Sequence, residues 1–585
     1  MPARRWSFPI SLFCLALVLP GSAVAGGRAE YAFLQYPVEK IRPGDMPAAR
    51  ASVTVRCAGN EYESVVIGFR NPSAASLEVS GISVSRREPA PALLNLYRID
   101  YVPVTAPSRW FSGTKGPWPD PLIPITAQGA GGGPDEGGDG GVDMRWAFER
   151  SVVVPPGENR SFLLEVYLPP GDRASEELAV SLSLSDGRTY PLVVRVQPWS
   201  FDLPRESSLA TAFGFSAGLV AGKHAELSTI PFSRADLALE YLHILGRYKV
   251  SVGFPHEPSP AAVNGDGSLS FDWSGFDELT GRALDGTLFP DAPPSTSFQV
   301  PASPPGLSIE QSTAYLREVA AHVREKGWLG RMFYYLHDEP LRSEYPSVRA
   351  VAERVRDADP DIRTLVTEPY TPDLQGSVSI WCPDIPFIGD SLPFMPVAAR
   401  WPYKLYFDWQ SNPPPSRYAA RRAEGEQAWL YTCNSAVFLD YPNLFIDTGA
   451  SANRIIPWLA FRHGFTGLLY WHSVVSYGMA GSPWGSPLVM LANGDGNLLY
   501  PGVPGQPDIR THRPIPSLRL QILRDGLEDY EYLELASRAL GMNEARDAAA
   551  RVASSSLCWV HDGAAMERIR EEIGMRIERS IMDGR

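Results

Sequence analysis

From about residue 205 to 505, short apolar runs ending in polar or aromatic residues alternate with helical patterns, and this alternation constrains the fold more than anything else in the chain. The candidate strands are LATAFGFS, YKVSVGFPHE, MFYYLHDEP, IRTLVTEPY, SVSIWCPD, QAWLYTCNS and FTGLLYWHSV, with helices such as STAYLREVAAHVREKG and VRAVAERVRDADP between some of them. Strand–helix alternation means parallel pairing through helical crossovers. Seven such strands, with an eighth expected near TLFPDAPPSTSF, fit a (β/α)8 barrel over residues 205–510. An open doubly wound sheet is the alternative, but no glycine-rich dinucleotide turn or P-loop supports it.

Residues 28–203 have a different texture. SVTVRCAG, YESVVIGFRN, LEVSGISVS, SFLLEVYLPP, LAVSLSLSDG and TYPLVVRVQP are short alternating runs broken by turn residues, the pattern of a β-sandwich. A glycine-rich tract at 127–141 interrupts them and reads as a loop, because it has too little apolar surface to bury. Residues 515–585 read as helical. Leu520, Leu523, Leu527, Tyr530 and Leu533 form one stripe, and Gly541 follows as a C-cap. The charges of the two later helices, NEARDAAARVASS and AMERIREEIGMRIERSIM, read as a solvated face.

At 585 residues the chain is long enough for two or three domains. Its formal charge of −13 argues against nucleic acid as a partner, since phosphate binding needs a basic face. Residues 1–25 carry Arg4 and Arg5, an apolar stretch and the A-x-A site Ala23-Val24-Ala25. That is a secretory leader, so the expected location is periplasmic or extracellular. No later segment is apolar for long enough to span a bilayer. Of the remaining cysteines, Cys57, Cys382, Cys433 and Cys558, none has zinc-ligand spacing. They read as buried thiols, with Cys382–Cys433 the first pair to test as a disulfide. NGDGSLSFD and NGDGNLLYPG match no EF-hand loop and read as tight turns, so neither a metal nor a cofactor is expected. Oligomeric state is not legible.

The strand ends carry the chemistry. The run RMFYYLHDEPLRSEYP closes an apolar strand with two consecutive acids and a proline. Unpaired ionised acids are costly in an apolar core, so these either cap a helix or act at a strand's end. In a barrel, catalytic side chains sit at the C-terminal ends of strands. Those ends hold His337, Asp338 and Glu339; Thr367 and Glu368; Trp381 and Asp384; Tyr431 and Asn434; and Tyr470, Trp471 and His472. Carboxylates serve acid–base steps, and aromatic faces stack on sugar rings, so a glycan is the expected substrate. Asp338 and Glu339 are the candidate catalytic residues. Tyr335, His337, Glu368, Trp381, Tyr431, Tyr470 and Trp471 are the candidate substrate-binding residues. His337 and His472 also read as structural hydrogen-bonding groups, and Glu368 alternatively as a nucleophile paired with Glu339. Adjacent acids have alpha carbons only ~3.8 Å apart and do not readily flank both faces of one sugar carbon. They fit a substrate-assisted reaction, in which one acid protonates the leaving oxygen and the other steadies an attacking 2-acetamido group.

Taken together, YYLHDEP, WPDPLIP, LSFDWSGFDELTGRALDG, WLYTCNS, GLLYWHSVVSY, GDGNLLYPG and LRLQILRDGLEDYEYL resemble glycoside hydrolase family 123, the exported bacterial β-N-acetylgalactosaminidases, and the related uncharacterised bacterial proteins sharing their catalytic domain. GNEYESVVIGFRN is similar to the family's N-terminal sandwich. The resemblance implies a sandwich followed by a (β/α)8 barrel, and retaining hydrolysis through an oxazolinium intermediate. It makes Asp338 the group that orients the acetamido substituent and Glu339 the general acid, then base. A non-catalytic glycan-binding protein on the same fold, or a retaining glycosidase of other specificity, are the competing readings.

Overall fold

A computed structural model describes residues 32–86, 92–108, 113–127, 143–252, 259–390, 413–479 and 481–584. The leader expected over 1–25, and the glycine-rich tract from residue 128, lie outside the described residues. The N-terminal region is sheet-rich. Ten strands, β1 (Ala32–Gln35), β2 (Ser52–Gly59), β3 (Glu61–Arg70), β4 (Leu77–Ser85), β5 (Leu93–Val104), β6 (Gly116–Ile125), β7 (Asp143–Val154), β8 (Asn159–Leu168), β9 (Glu176–Leu184) and β10 (Thr189–Asp202), form two five-stranded sheets. Their orders are β1-β3-β8-β5-β6 and β2-β10-β9-β4-β7. Val55, Val65, Ile67, Val79, Leu164, Leu182 and Val194 from both sheets share one buried cluster, as facing sheets with alternating apolar residues require.

The next region supplies β11 (Ala210–Phe213), a hairpin of β12 (Ala261–Val263) and β13 (Leu269–Phe271), and then β14 (Phe298–Gln299), β15 (Met332–His337), β16 (Arg363–Val366), β17 (Ile380–Trp381), β18 (Gln427–Tyr431) and β19 (Gly467–Tyr470). Seven of these form one sheet in the order β11-β19-β18-β17-β16-β15-β14, with every pair parallel. The sheet is nearly closed. Val252 bridges Phe213 of β11 in parallel, and the Ser251 hydroxyl lies 3.0 Å from that of Thr296, two residues before β14. The order is consistent with a barrel. NGDGSLSFD forms the turn between β12 and β13, where the Ser268 hydroxyl donates to Asp266.

Alternation along these strands sorts their side chains into two layers. Ala212, Phe333, Leu365, Ile380, Cys382, Trp429, Tyr431 and Leu469 form an inner cluster. Phe213, Leu336, Val366, Trp381, Leu430, Leu468 and Tyr470 face outward into the larger core under the helices. Those helices are α1 (Ala217–Leu227), α2 (Arg234–Arg247), the short α3 (Ser274–Phe276) and α4 (Arg282–Asp285), α5 (Ile309–Glu325), α6 (Tyr345–Ala358), α7 (Pro415–Ala423) and α8 (Ala450–His463). The C-terminal region adds α9 (Leu518–Leu540), α10 (Met542–Val552) and α11 (Gly563–Met582).

The stripe expected on α9 is buried, and Gly541 ends the helix at φ +101°. The expected solvated face of the later helices needs correction on α11. Glu567 and Arg570 are buried there, and Arg570 pairs with Glu63 at 2.6 Å, Glu567 at 2.7 Å and Asp529 at 3.1 Å. Arg551–Glu572 and Arg576–Glu544 do lie outside. Helix α9 is the other half of this junction. Arg519 reaches Asp120 of β6 at 2.9 Å and three backbone carbonyls, Arg524 reaches Glu165 of β8 at 2.6 Å, and the Tyr532 hydroxyl donates to Glu61 at 2.7 Å. No helix among the described residues is long and apolar enough to cross a membrane. Cys57, Cys382, Cys433 and Cys558 are all free, so no Cys382–Cys433 bridge forms, and Cys558 is exposed rather than buried.

Candidate active site

The site begins at the end of β15. Phe333 and Tyr335 face the inner layer, and the β15–β16 register slips between Tyr335 and His337. That irregularity re-aims the chain as it leaves the sheet. The next residues do not cap a helix. A 3-10 turn spans Arg342–Glu344, α6 starts only at Tyr345, and Glu344 is its N-cap. The capping reading of Asp338 and Glu339 is therefore corrected: both carboxyls remain available, at the open end of the sheet.

Thr367, just beyond β16, organises both acids. Its hydroxyl lies 3.0 Å from Asp338 Oδ1 and receives the Glu339 backbone N–H at 2.8 Å. The Tyr335 hydroxyl donates to the same Asp338 oxygen at 2.7 Å. Glu339 sits at φ +44°, where a non-glycine residue costs about 1–3 kcal/mol, so its amide bond to Thr367 helps hold a strained turn. The Glu339 side chain reaches across the sheet, and its Oε1 accepts a hydrogen bond from Tyr431 at the end of β18. The two acids thus have separate donor sets within one mouth. Partial burial, with Asp338 adding to it, raises the Glu339 carboxyl above the usual carboxylate range; the Tyr431 bond draws it back.

Alternation decides the remaining expectations. Tyr335 and Tyr431 face the inner layer and hydrogen-bond to the two acids. Trp381 and Tyr470 face outward and are fully buried, which corrects their expected role as sugar platforms. The Trp381 indole donates to Glu426 at 2.7 Å, and the Tyr470 hydroxyl donates to Asp495 at 3.0 Å. Glu368 is also sealed from solvent, under α6, where its Oε1 accepts from the Tyr345 hydroxyl at 2.9 Å. Neither sugar contact nor nucleophilic attack suits that position. Burial pushes it up to about 7, the Glu339 charge adding to the effect. His337 lies on the rim, with Nδ1 3.0 Å from the Asp338 carbonyl and Nε2 3.7 Å from Glu344; it braces the turn rather than lining the mouth. Trp471 is half-buried, its ring lying on Gly496, where an added Cβ would approach to 2.4 Å. That glycine, at φ +65°, and its neighbour Asp495 show the second NGDG to be a turn packed beneath this indole. Among the described residues no cluster of His, Cys, Asp and Glu has the geometry to hold a metal.

Sequence reasoning passed over Thr367 as a site residue in favour of Glu368. The period-two pattern from Leu365, which faces inward, points to Thr367 instead. Ser435 and Asp384 were likewise passed over. Ser435 follows β18 and hydrogen-bonds to Asp384, a contact no spacing announces.

Residues 308–536 match the family model for the glycoside hydrolase 123 catalytic domain. Among solved structures, a family 123 glycoside hydrolase from Clostridium perfringens, described for glycolipid glycan hydrolysis, aligns with 94% of this chain and 98% of its own at 12% identity and a TM-score of 0.62. A putative glycoside hydrolase from Bacteroides vulgatus aligns with 83% of this chain and 78% of its own at 8% identity and a TM-score of 0.24. No curated protein matches. The catalytic-domain match covers both acids, Thr367 and Tyr431, and supports a glycoside hydrolase.

Proposed function

We propose that this chain, whose residues 308–536 carry a family 123 catalytic domain, hydrolyses β-linked 2-acetamido-2-deoxy sugars with retention, by a substrate-assisted mechanism. One observation carries the reading: two consecutive acids converge on one mouth, each held by its own hydroxyl donors. The sheet is read as an eight-stranded barrel, with Ser251 and Val252 at the last position. Residues 1–25 are read as a leader directing export.

In this mechanism Glu339 starts protonated, favoured by its surroundings, and gives its proton to the leaving oxygen. Asp338, fixed by Tyr335 and Thr367, accepts the acetamido N–H and turns the amide oxygen toward the anomeric carbon. The glycosidic bond breaks as the C–O bond of an oxazolinium forms. Glu339, now ionised, takes a proton from water as the water opens that ring. Tyr431 steadies the carboxylate between the two halves. No second protein carboxylate is required as nucleophile.

The test is hydrolysis of aryl β-N-acetylgalactosaminide and β-N-acetylglucosaminide. Glu339→Gln and Asp338→Asn are each expected to lower kcat/KM by about 100-fold to 10,000-fold. A thiazoline that mimics the bicyclic intermediate should inhibit far more tightly than the product sugar. Absence of turnover on both substrates, or variants as active as the native enzyme, would refute the assignment.

A further inference from the structure

Asp384 follows β17 below the mouth and has no part in the reaction as described so far. It is 2% exposed, and its backbone pairs with Tyr431 in a parallel bridge. Its Oδ2 shares a hydrogen bond with the Ser435 hydroxyl and takes the Cys433 thiol at 3.5 Å. Its Oδ1 is shut off from solvent and has no hydrogen-bond partner among the described residues. The titratable groups facing it are Glu339 beyond β15, Tyr431 of β18, Cys433 beyond β18, and Cys382 beside it after β17. Each is neutral or, when ionised, negative, so among the described residues no cation offsets a charge here.

Among the described residues, a carboxylate in that place would be a buried anion with one oxygen unbonded and no counter-ion, an arrangement that proteins avoid by keeping the proton. We propose that Asp384 is a positioning residue that works as a neutral carboxylic acid. Its bonds to Ser435 and Cys433 tie the loop after β18 back to β17, setting Tyr431 against Glu339 without adding a charge beside the reacting acid. This rests on the hexosaminidase reading above and deepens it. Burial pushes Asp384 up to about 8, the Glu339 charge adding to this, and the Ser435 hydroxyl, the Cys433 thiol and the Ile385 amide offset only part of it. Neutrality serves the first half of the reaction. Glu339 becomes an anion as it releases its proton, and a second negative charge beside it would oppose that step.

Two substitutions separate the roles. Asp384→Ala should lower kcat by about tenfold or more while leaving KM within about twofold, because orientation of the acid and not sugar binding is lost. Asp384→Asn keeps the shape and the neutrality, and should restore most of that kcat. Infrared difference spectra at pH 6 should show a protonated-carboxyl C=O stretch in the native enzyme that the Asn variant lacks. The basic limb of log kcat/KM against pH should also lose one unit of slope in that variant. The proposal falls if Asp384→Asn is as inactive as Glu339→Gln, if no protonated-carboxyl band disappears, or if Asp384→Ala matches the native kcat. Native enzyme that turns over neither hexosaminide sinks the parent reading and this one together; turnover with any of those three results sinks this one alone.

Discussion

Tyr431 sets how readily Glu339 ionises, because its hydroxyl donates to the carboxyl and favours the charged form. Removing that donor raises the carboxyl further. Tyr431→Phe should therefore move the basic limb of the kcat/KM profile to higher pH, by about one unit if a charge-assisted bond is lost. A shift to lower pH would contradict the contact. Thr367 bears on the geometry of both acids at once. Thr367→Val leaves the Glu339 amide without its partner, at a cost of about 1–3 kcal/mol, and frees Asp338 from one of its two hydroxyls. The expected result is a lower kcat with a modest loss of thermal stability, read by kinetics and a melting curve. At this scale the sequence was legible where side-chain direction follows from strand period. Strand period accounts for the inward direction of Tyr335 and Tyr431, although the expectation for them rested on residue type at strand ends. Trp381, Tyr470 and Glu368 were chosen for chemical type at strand ends, but alternation turns all three outward.

At the scale of elements, the charged face of α11 was the misread feature, and α9 beside it also buries charges. Sequence places acids and bases on a helix without saying what lies opposite. Here the opposite surface is β3, β6 and β8, hundreds of residues earlier, which present Glu61, Glu63, Asp120 and Glu165. Asp120 of WPDPLIP and Arg519 of LRLQILRDGLEDYEYL are a fully buried pair between the N-terminal sheets and α9. Removing one partner of such a pair strands a charge in the interior. Arg570→Met should destabilise by about 3–5 kcal/mol, while Arg576→Ala, on the solvent side of the same helix, should change stability by about 0.5 kcal/mol or less. Denaturant melts of the two variants side by side check this. Equal losses would mean that the junction does not carry the load its burial implies.

Across the whole molecule, several buried acids hold protons they would lose in the unfolded chain. Glu39 and Glu368 are pushed up to about 7, and Asp384 and Asp525 to about 8, burial being the first cause in each. Their raised values mean that the folded state resists ionisation which the unfolded state undergoes near pH 4. Their contribution is therefore fully present below that pH and is lost as pH rises through about 7 to 8. Glu567 runs the other way. The Arg570 and Arg454 charges outweigh its desolvation and draw it down to about 2, so its share of stability holds above its unfolded value and disappears as pH falls through about 2. Lys40, drawn down to about 7 by burial, and His224, drawn down to about 3, pull the other way but are outnumbered. The melting temperature should thus be highest under mildly acidic conditions and decline from pH 5 to pH 8. A melting temperature that rises over that interval would show that these acids are solvated or paired with cations.

The order of the regions, the alternation of strand and helix, and the adjacency of two acids at a strand's end all lay in the linear chain, because each depends on period and local spacing alone. What the chain could not disclose was which charges meet. Thr367 reaches both acids, Tyr431 spans the sheet to Glu339, Asp384 lies sealed beneath them, and Arg570 joins a late helix to an early strand. Those pairings depend on distances between residues far apart in sequence. Only packing sets such distances, and with them the local dielectric that decides whether an acid keeps its proton.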